Sequence, residues 1–130
     1  MDKKYTLLIV LITILLLGGI LGFAAWRTST IPDHTVLAQC IKDAGAKFYG
    51  AFWCPHCQAT KKLFGKGQSA LPYIECSTPD GNGQLPVCTD VGVKQYPTWV
   101  FADGSRLTGE QSLEALAGKT NCPLPQTETQ

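Results

Sequence analysis

The sequence predicts one small α/β domain that follows a single apolar helix, within a chain of 130 residues. Three observations carry this prediction. Residues 7–25 are apolar except for Thr13, the one clearly polar side chain among them. After them, short apolar runs that are typical of buried strands alternate with segments of helical periodicity. One such run, residues 48–52, leads through Trp53 into a Cys-x-x-Cys at the start of a predicted helix.

The apolar segment 7–25 is long enough to span a membrane as one helix. Its 19 residues extend about 28 Å at about 1.5 Å per residue, close to the hydrocarbon thickness of a bilayer. Cleaved signal peptides have a shorter apolar core of roughly 7–15 residues, which favours an uncleaved anchor. Cleavage stays open as the alternative, because Gly22-Phe23-Ala24 is an acceptable small-x-small site whose use removes residues 1–24.

Charges at the two ends of the span predict its orientation. Lys3 and Lys4 precede it and only Arg27 follows closely, so the positive-inside rule keeps residues 1–6 in the cytoplasm. Residues 26–33 then form a polar tether to an extracytoplasmic domain, in the periplasm or an equivalent lumen. All six cysteines lie beyond the span, and a dense, even set of cysteines is typical of an oxidising compartment. We therefore expect a single-pass membrane protein.

The charge balance of the exported part disfavours nucleic acid as a partner. Residues 28–130 contain eight Lys and Arg against nine Asp and Glu, a net charge near −1. They carry no basic stripe with interleaved aromatic side chains, which is the usual signature of nucleic-acid binding.

Turn residues and periodicity divide residues 34–120, the predicted domain, into a series of helices and strands. Asp103-Gly104 between two strand-like runs predicts a hairpin, and residues 121–130 are predicted to be a flexible tail. The expected elements are a helix to residue 44 capped by Asp33, a strand over 47–53, a helix from 54 to about 65, a strand over 71–76, a short helix over 87–91, hairpin strands over 99–101 and 105–108, and a helix over 112–119.

Two side-chain placements follow from helical spacing. Val36, Leu37 and Ile41 are predicted to share the buried face of the first helix with Cys40, so Cys40 is expected to be packed or disulfide-bonded. The Lys61-Lys62 pair on the second helix is interpreted as a solvated face.

Cys54 and Cys57 have the spacing and the position of a redox pair. The start of a helix carries partial positive charge and free N–H donors, which stabilise a thiolate there, and the thiolate is the form that attacks disulfides. Pro55 suits the first turn because its missing N–H leaves nothing unpaired. His56 favours the anion when it is protonated or donates a hydrogen bond. Cys54 is the predicted nucleophile and Cys57 the residue that resolves the mixed disulfide, with Trp53 shaping the apolar surface beside them.

The order of the elements is that of a thioredoxin fold, a central mixed sheet flanked by helices. The motifs resemble the thioredoxin-like domain that is fused to bacterial and plant vitamin K epoxide reductase homologues, and the match covers about residues 34–120. The segments that carry it are Lys47 to Cys57, Tyr73 to Cys76, Cys88, Tyr96 to Trp99 and Gly109 to Leu113.

This resemblance implies a redox-active disulfide as the only electron carrier, with no metal, nucleotide or flavin. It implies protein substrates with thiols or disulfides, and a membrane quinone-linked reductase of the vitamin K epoxide reductase or DsbB type as partner. Since this sequence has one span in place of the family's four-helix bundle, that partner is expected to be a separate protein. The Cys-Pro-His-Cys sequence is also similar to that of DsbA, where it accompanies an oxidising site.

Other positions gain an expected role from the resemblance. Pro97 resembles the cis-proline that faces the active-site cysteines, so the backbone of Tyr96 is expected to meet an extended substrate. Many members carry a buried acid six residues before the first cysteine, where this chain has Phe48. The proton acceptor of Cys57 is thus unassigned, with Glu75 a candidate by its place at the end of the second strand.

The remaining cysteines leave several pairings open. Cys76 and Cys88 resemble a structural pair of the family; the alternative is a second redox pair that relays electrons. Cys40 and Cys122 are left to pair with each other, but four cysteines allow three connectivities and the sequence does not choose among them. A four-cysteine zinc site is disfavoured, because the second pair is spaced by 11 residues rather than the two to four of zinc knuckles.

Together these observations predict an extracytoplasmic thiol–disulfide oxidoreductase that promotes disulfide formation in exported proteins. The alternatives are a reductase or isomerase of such disulfides, and a non-catalytic adaptor with a thioredoxin fold.

Overall fold

The computed structural model describes residues 2–29 and 31–124, in two compact units that divide after Ile31. The first unit is one helix, α1 (Lys3–Ser29). Its segment Lys3–Phe23 has 21 residues with a mean hydropathy of 2.7, and its apolar side chains are exposed, as expected for a membrane anchor. The helix continues to Ser29, so the segment 26–29 is helical where the sequence predicted a tether.

The second unit is a four-stranded mixed sheet with helices on its faces, the α/β class and thioredoxin-like arrangement that the sequence predicts. A 3₁₀ helix over Lys66–Ala70 was not anticipated. The other elements are α2 (Thr35–Asp43), β1 (Lys47–Gly50), α3 (Pro55–Leu63), β2 (Tyr73–Glu75), α4 (Pro86–Thr89), β3 (Thr98–Val100), β4 (Arg106–Thr108) and α5 (Leu113–Thr120).

The strands are ordered β2-β1-β3-β4, with β1 in the interior of the sheet. β1 is parallel to β2, with Gly50 opposite Glu75, and antiparallel to β3, with Phe48 opposite Trp99. β3 and β4 form the expected hairpin. An interior strand is buried on both faces, which explains why β1 is nearly all apolar.

β1 ends earlier than predicted. The apolar run continues to Trp53, but the strand stops at Gly50 and a turn follows, in which the Cys54 amide donates to the Ala51 carbonyl at 3.0 Å. An apolar run does not distinguish a strand from a buried turn. This turn leaves Cys54 at the N-cap of α3.

The core lies between the sheet and the helices α2, α3 and α5. Phe48 and Trp99 are fully buried, and their rings stack with centroids 4.6 Å apart. Leu37 and Ile41 fill the side of α2. The prediction that Val36 shares this face is wrong, because its side chain is 77% exposed on the neighbouring side of the helix.

The start of α2 also differs from the prediction. His34 is the N-cap, and Asp33 lies one residue before it. The Asp33 carboxylate still accepts the Thr35 amide at 3.1 Å, so it satisfies a free donor of the first turn from one position earlier. That bond and the Thr35 hydroxyl hold the pKa of Asp33 below its usual value.

Two disulfides tie the ends of elements together. Cys40 in α2 is bonded to Cys122, just after α5, with Cα atoms 5.9 Å apart. Cys76, after β2, is bonded to Cys88 in α4, with Cα atoms 5.6 Å apart. The buried Cys122 thus fixes the start of the predicted tail, and residues 125–130 of that tail lie outside the described part of the chain.

Removing the two disulfides should destabilise the domain unequally. Cys40–Cys122 closes a separation of 82 residues and Cys76–Cys88 one of 12. Loop-closure entropy then predicts a loss of about 4.5 kcal/mol for Cys40→Ala/Cys122→Ala and about 3 kcal/mol for Cys76→Ala/Cys88→Ala. Urea unfolding of the full chain in detergent, followed by tryptophan fluorescence, measures both. Unchanged stability in the first double variant would contradict this pairing.

Candidate active site

The β1–α3 connection positions the Cys-x-x-Cys. Cys54 has extended backbone angles, φ −73° and ψ 120°, and Pro55 begins the helix, where its missing N–H leaves no donor unpaired. The Gln58 amide donates to the Cys54 carbonyl at 3.1 Å, so Cys54 closes the first helical turn. Both cysteines are free thiols in this structure.

Cys54 faces an open cavity. Its sulfur lies 3.8 Å from the carbonyl oxygen of Tyr96, and the Tyr96–Pro97 peptide bond is cis, as the sequence predicts. The cavity has a volume of about 580 Å³, enough for several side chains of a bound peptide. Its walls are formed by Trp53, Cys54, Lys94, Gln95, Tyr96, Thr108 and Gly109.

Cys57 is enclosed more completely than Cys54, which is itself only 5% exposed. Cys57 is 1% exposed, and its burial, together with the neighbouring Cys54, raises the pKa of its thiol to about 12. Burial disfavours the charged thiolate because the protein interior solvates it less well than water. At neutral pH the reduced protein therefore keeps the proton on Cys57.

The Cys57 sulfur packs directly against β1 at Gly50. A Cβ at residue 50 would lie 2.8 Å from the Cys57 Sγ atom and 2.8 Å from the Cε2 atom of Tyr73. Both distances are shorter than real Cβ contacts, so only glycine fits between the sulfur and the Tyr73 ring.

His56 turns outward and forms an ion pair that the sequence did not reveal. Its Nδ1 atom lies 2.5 Å from a carboxylate oxygen of Glu110, and both side chains are at least half exposed. Glu110 comes 54 residues later, after β4, so no local spacing could have found it. The carboxylate holds the ring at the rim of the site.

Aromatic side chains extend the surface around Cys54. Phe52 and Trp53 are each 49% exposed, which is unusual for such large apolar groups. The Trp53 indole N–H donates to the Ser77 hydroxyl at 2.9 Å, and its ring meets the edge of Tyr96. Trp53 is thus held in place although half of it faces solvent.

Tyr73 and Glu75 form a hydrogen-bonded pair on the inner side of the site. The Tyr73 hydroxyl donates to Glu75 Oε2 at 2.8 Å, while Glu75 Oε1 accepts the Phe52 and Ser77 amides at 3.2 and 2.9 Å. The interpretation of Lys61 as a solvated residue is wrong, since its Nζ atom lies 3.3 Å from the centre of the Tyr73 ring. Such contacts between ammonium groups and aromatic faces are attractive.

The Cys76–Cys88 pair lies apart from this site. Cys76 and Cys88 are fully buried with Tyr49, while Cys57 packs in the cluster that contains Phe48. Neighbouring strand residues point to opposite faces, so the sheet separates the two pairs. Because Cys76 and Cys88 are bonded to each other, they supply no thiolates for a four-cysteine zinc site. Within residues 2–29 and 31–124, no group of three or more His, Cys, Asp and Glu side chains is placed to hold a metal.

Comparison with known proteins agrees with the chemistry of this site. Over 104 residues the chain is 39% identical to the thiol-disulfide oxidoreductase LTO1 of Arabidopsis thaliana. This covers 76% of the chain but 27% of that protein. Over 119 residues it is 26% identical to protein disulfide isomerase-like 5-1 of Oryza sativa subsp. japonica, covering 84% of the chain and 80% of the relative. No protein-family model matches the chain.

Gly50→Ala should disrupt the site by steric overlap. The new methyl group must displace the Cys57 sulfur or the Tyr73 ring, at an expected loss of about 1–3 kcal/mol. The matched control is Gly118→Ala in α5, where a Cβ meets nothing within 4 Å. That variant should be neutral or gain up to about 1 kcal/mol, because alanine is the better helix former. Urea unfolding compares them, and equal effects would contradict the close approach.

Cys57 should react slowly with iodoacetamide and with a steep pH dependence. Its pKa of about 12 lies above the working range, so its thiolate fraction rises about tenfold per pH unit between pH 7 and 9. Labelling of the reduced Cys54→Ser variant, followed by mass spectrometry, measures this rate. The reduced Cys57→Ser variant, which keeps the cavity-facing Cys54, should label much faster; similar rates would show that Cys57 is not buried.

Proposed function

We propose that this chain is a thiol–disulfide oxidoreductase whose Cys54 and Cys57 cycle between a dithiol and a disulfide. The observation that carries the proposal is the different placement of two thiols in one helical turn. Cys54 faces a cavity at the N-cap of α3, whereas Cys57 is buried behind it. A nucleophile at the wall of a cavity, backed by a resolving thiol that lies deeper in the protein, suits exchange through a mixed disulfide. The two relatives, named as an oxidoreductase and an isomerase-like protein, support the same activity.

In the oxidising direction, a substrate thiolate attacks the Cys54 sulfur of the Cys54–Cys57 disulfide. Cys57 leaves as a thiolate and takes up a proton, which its environment favours. A second substrate thiolate then attacks the substrate sulfur of the mixed disulfide and releases the thiolate of Cys54. Two electrons pass to the protein and one disulfide forms in the substrate. Reduction of a substrate runs through the same steps in reverse.

The cavity is the proposed binding place for an extended segment of the substrate. Tyr96 borders it, with its carbonyl oxygen 3.8 Å from the sulfur of Cys54. Trp53 supplies an exposed apolar wall that hydrogen bonding to Ser77 keeps fixed. Such a surface suits unfolded chains, which present apolar side chains and unpaired backbone groups.

Oxidation of exported proteins is the direction we propose. The Cys-Pro-His-Cys sequence resembles that of an oxidising site, and Cys54 lies at the N-cap of α3, the positive end of the helix dipole. Reoxidation then falls to a quinone-linked membrane reductase of the vitamin K epoxide reductase or DsbB type. The apolar helix α1, with Lys3 and Lys4 at its N-terminal end, supports an anchor that keeps the domain outside the cytoplasm and close to such a partner.

The reduction potential of Cys54–Cys57 tests the direction. The full chain in detergent is equilibrated with glutathione buffers, and the fraction of disulfide is read by alkylation and mass spectrometry, with Cys54→Ser as the control that cannot cycle. A potential above roughly −180 mV is expected for an oxidant. A value near about −270 mV would identify a reductase, and a pair that never cycles would leave a non-catalytic adaptor or a structural disulfide.

A further inference from the structure

In the proposed reaction Cys57 must give up a proton, and no residue has yet been assigned to accept it. Cys57 must lose its proton before it can attack a mixed disulfide, and its burial makes that loss unfavourable. Position 48, six residues before Cys54, holds a fully buried phenylalanine stacked on Trp99. Phe48 has no group that accepts a proton, so the acceptor must lie elsewhere.

The ring of Tyr73 is the polar side chain that borders the Cys57 sulfur. The two groups lie on either side of Gly50, since a Cβ there would be 2.8 Å from each. The ring atom nearest that point is Cε2, which is bonded to the carbon that carries the hydroxyl. The absence of a side chain at residue 50 therefore opens the space between the sulfur and the hydroxyl edge of Tyr73.

Glu75 is the next polar group beyond Tyr73. Tyr73 and Glu75 are two residues apart on β2, so their side chains share one face, the face of Gly50 and Cys57. The Tyr73 hydroxyl donates to Glu75 Oε2 at 2.8 Å, and two backbone amides hold the other oxygen. Burial and this hydrogen bond raise the pKa of Tyr73, so its hydroxyl stays protonated and donates to Glu75.

Lys61, on helix α3, is the third polar residue near Cys57, beside Tyr73 and Glu75. It follows Cys57 by four residues, one turn along α3, and its ammonium group lies 3.3 Å from the centre of the Tyr73 ring. Its positive charge lowers the pKa of Cys57 and so partly offsets the effect of burial. Lys61 thereby stabilises the negative charge that moves through this group.

We infer that Tyr73 and Glu75, with Lys61 beside them, form the proton relay of Cys57 and take the place of an acid at position 48. In the resolving step the proton of Cys57 passes to the Tyr73 oxygen as the Tyr73 proton passes to Glu75. The Cys57 thiolate then attacks the sulfur of Cys54, and the substrate leaves as a thiolate. In the oxidising direction the same path returns the proton to Cys57. The inference rests on the proposed function, because it assigns a step of that reaction.

The test separates attack by Cys54 from resolution by Cys57. The reduced full chain in detergent is mixed with Ellman's reagent, and release of thionitrobenzoate is followed by stopped-flow absorbance from pH 5 to 9. The first equivalent reports attack by Cys54 and the second reports resolution by Cys57. The variants are Glu75→Gln, which removes the acceptor, and Tyr73→Phe, which keeps the ring and its contact with Lys61. The controls are Glu114→Gln, exposed on α5, and Tyr49→Phe, on the opposite face of the sheet.

Both relay variants should slow the second phase by about tenfold or more at pH 6–7, within the range that general-base catalysis contributes. The slowed rate should then rise about tenfold per pH unit, because the solvent has replaced the relay as acceptor of the Cys57 proton. The first phase should stay within about threefold of the unaltered chain, and both controls should match that chain in both phases. Tyr73→Phe decides the result if Glu75→Gln does not fold.

Three outcomes would overturn the inference: second-phase rates within twofold of the unaltered chain in both variants, equal slowing of both phases, or faster resolution in Glu75→Gln. The last would mean that Glu75 acts only through its charge, by holding Cys57 protonated. If the unaltered chain releases no second equivalent, the proposed function itself fails, which distinguishes that failure from failure of the relay.

Discussion

The contact of the Cys57 sulfur with β1 at Gly50 is the constraint around which the site is built. Because no side chain intervenes, α3 lies close against the strand and encloses Cys57. The turn that follows Gly50 then carries Cys54 to the start of the helix, where it packs at the margin of the core and lines the cavity. Cys57 thus lies deeper than Cys54, and the difference between their surroundings provides the asymmetry that disulfide exchange requires.

The same contact links the two sides of the site. Outward from Cys54 lie the half-exposed Trp53 and the Tyr96 carbonyl, which suit a bound chain. Inward from Cys57 lie Tyr73 and Glu75, which suit the movement of a proton. The Cys76–Cys88 disulfide is on the other face of the sheet, where it stabilises the end of β2 without reaching the exchanging pair. The proposed substrate surface, the proposed proton relay and the Cys76–Cys88 disulfide therefore lie at different places in the fold.

Local patterns were enough to predict most of the architecture. Apolar runs, a Cys-x-x-Cys at a helix start and an Asp-Gly turn gave the order of elements, since each depends on neighbouring residues only. The end of β1 was missed because a buried turn is as apolar as a strand. The face of Val36 was missed because a nine-residue helix leaves the limits of its apolar side poorly defined. The partners Glu110 of His56 and Tyr73 of Lys61 depend on tertiary packing, and nothing in their spacing along the chain points to them.

The central claim is that Cys54 carries the substrate and Cys57 releases it. Trapping tests this most directly: Cys57→Ala and Cys54→Ala variants of the full chain are expressed in membranes, thiols are quenched with acid, and mixed disulfides are separated on non-reducing gels. The account predicts reducible adducts with exported proteins in Cys57→Ala and none in Cys54→Ala. Adducts through Cys57 in the Cys54→Ala variant, or adducts in neither, would contradict it.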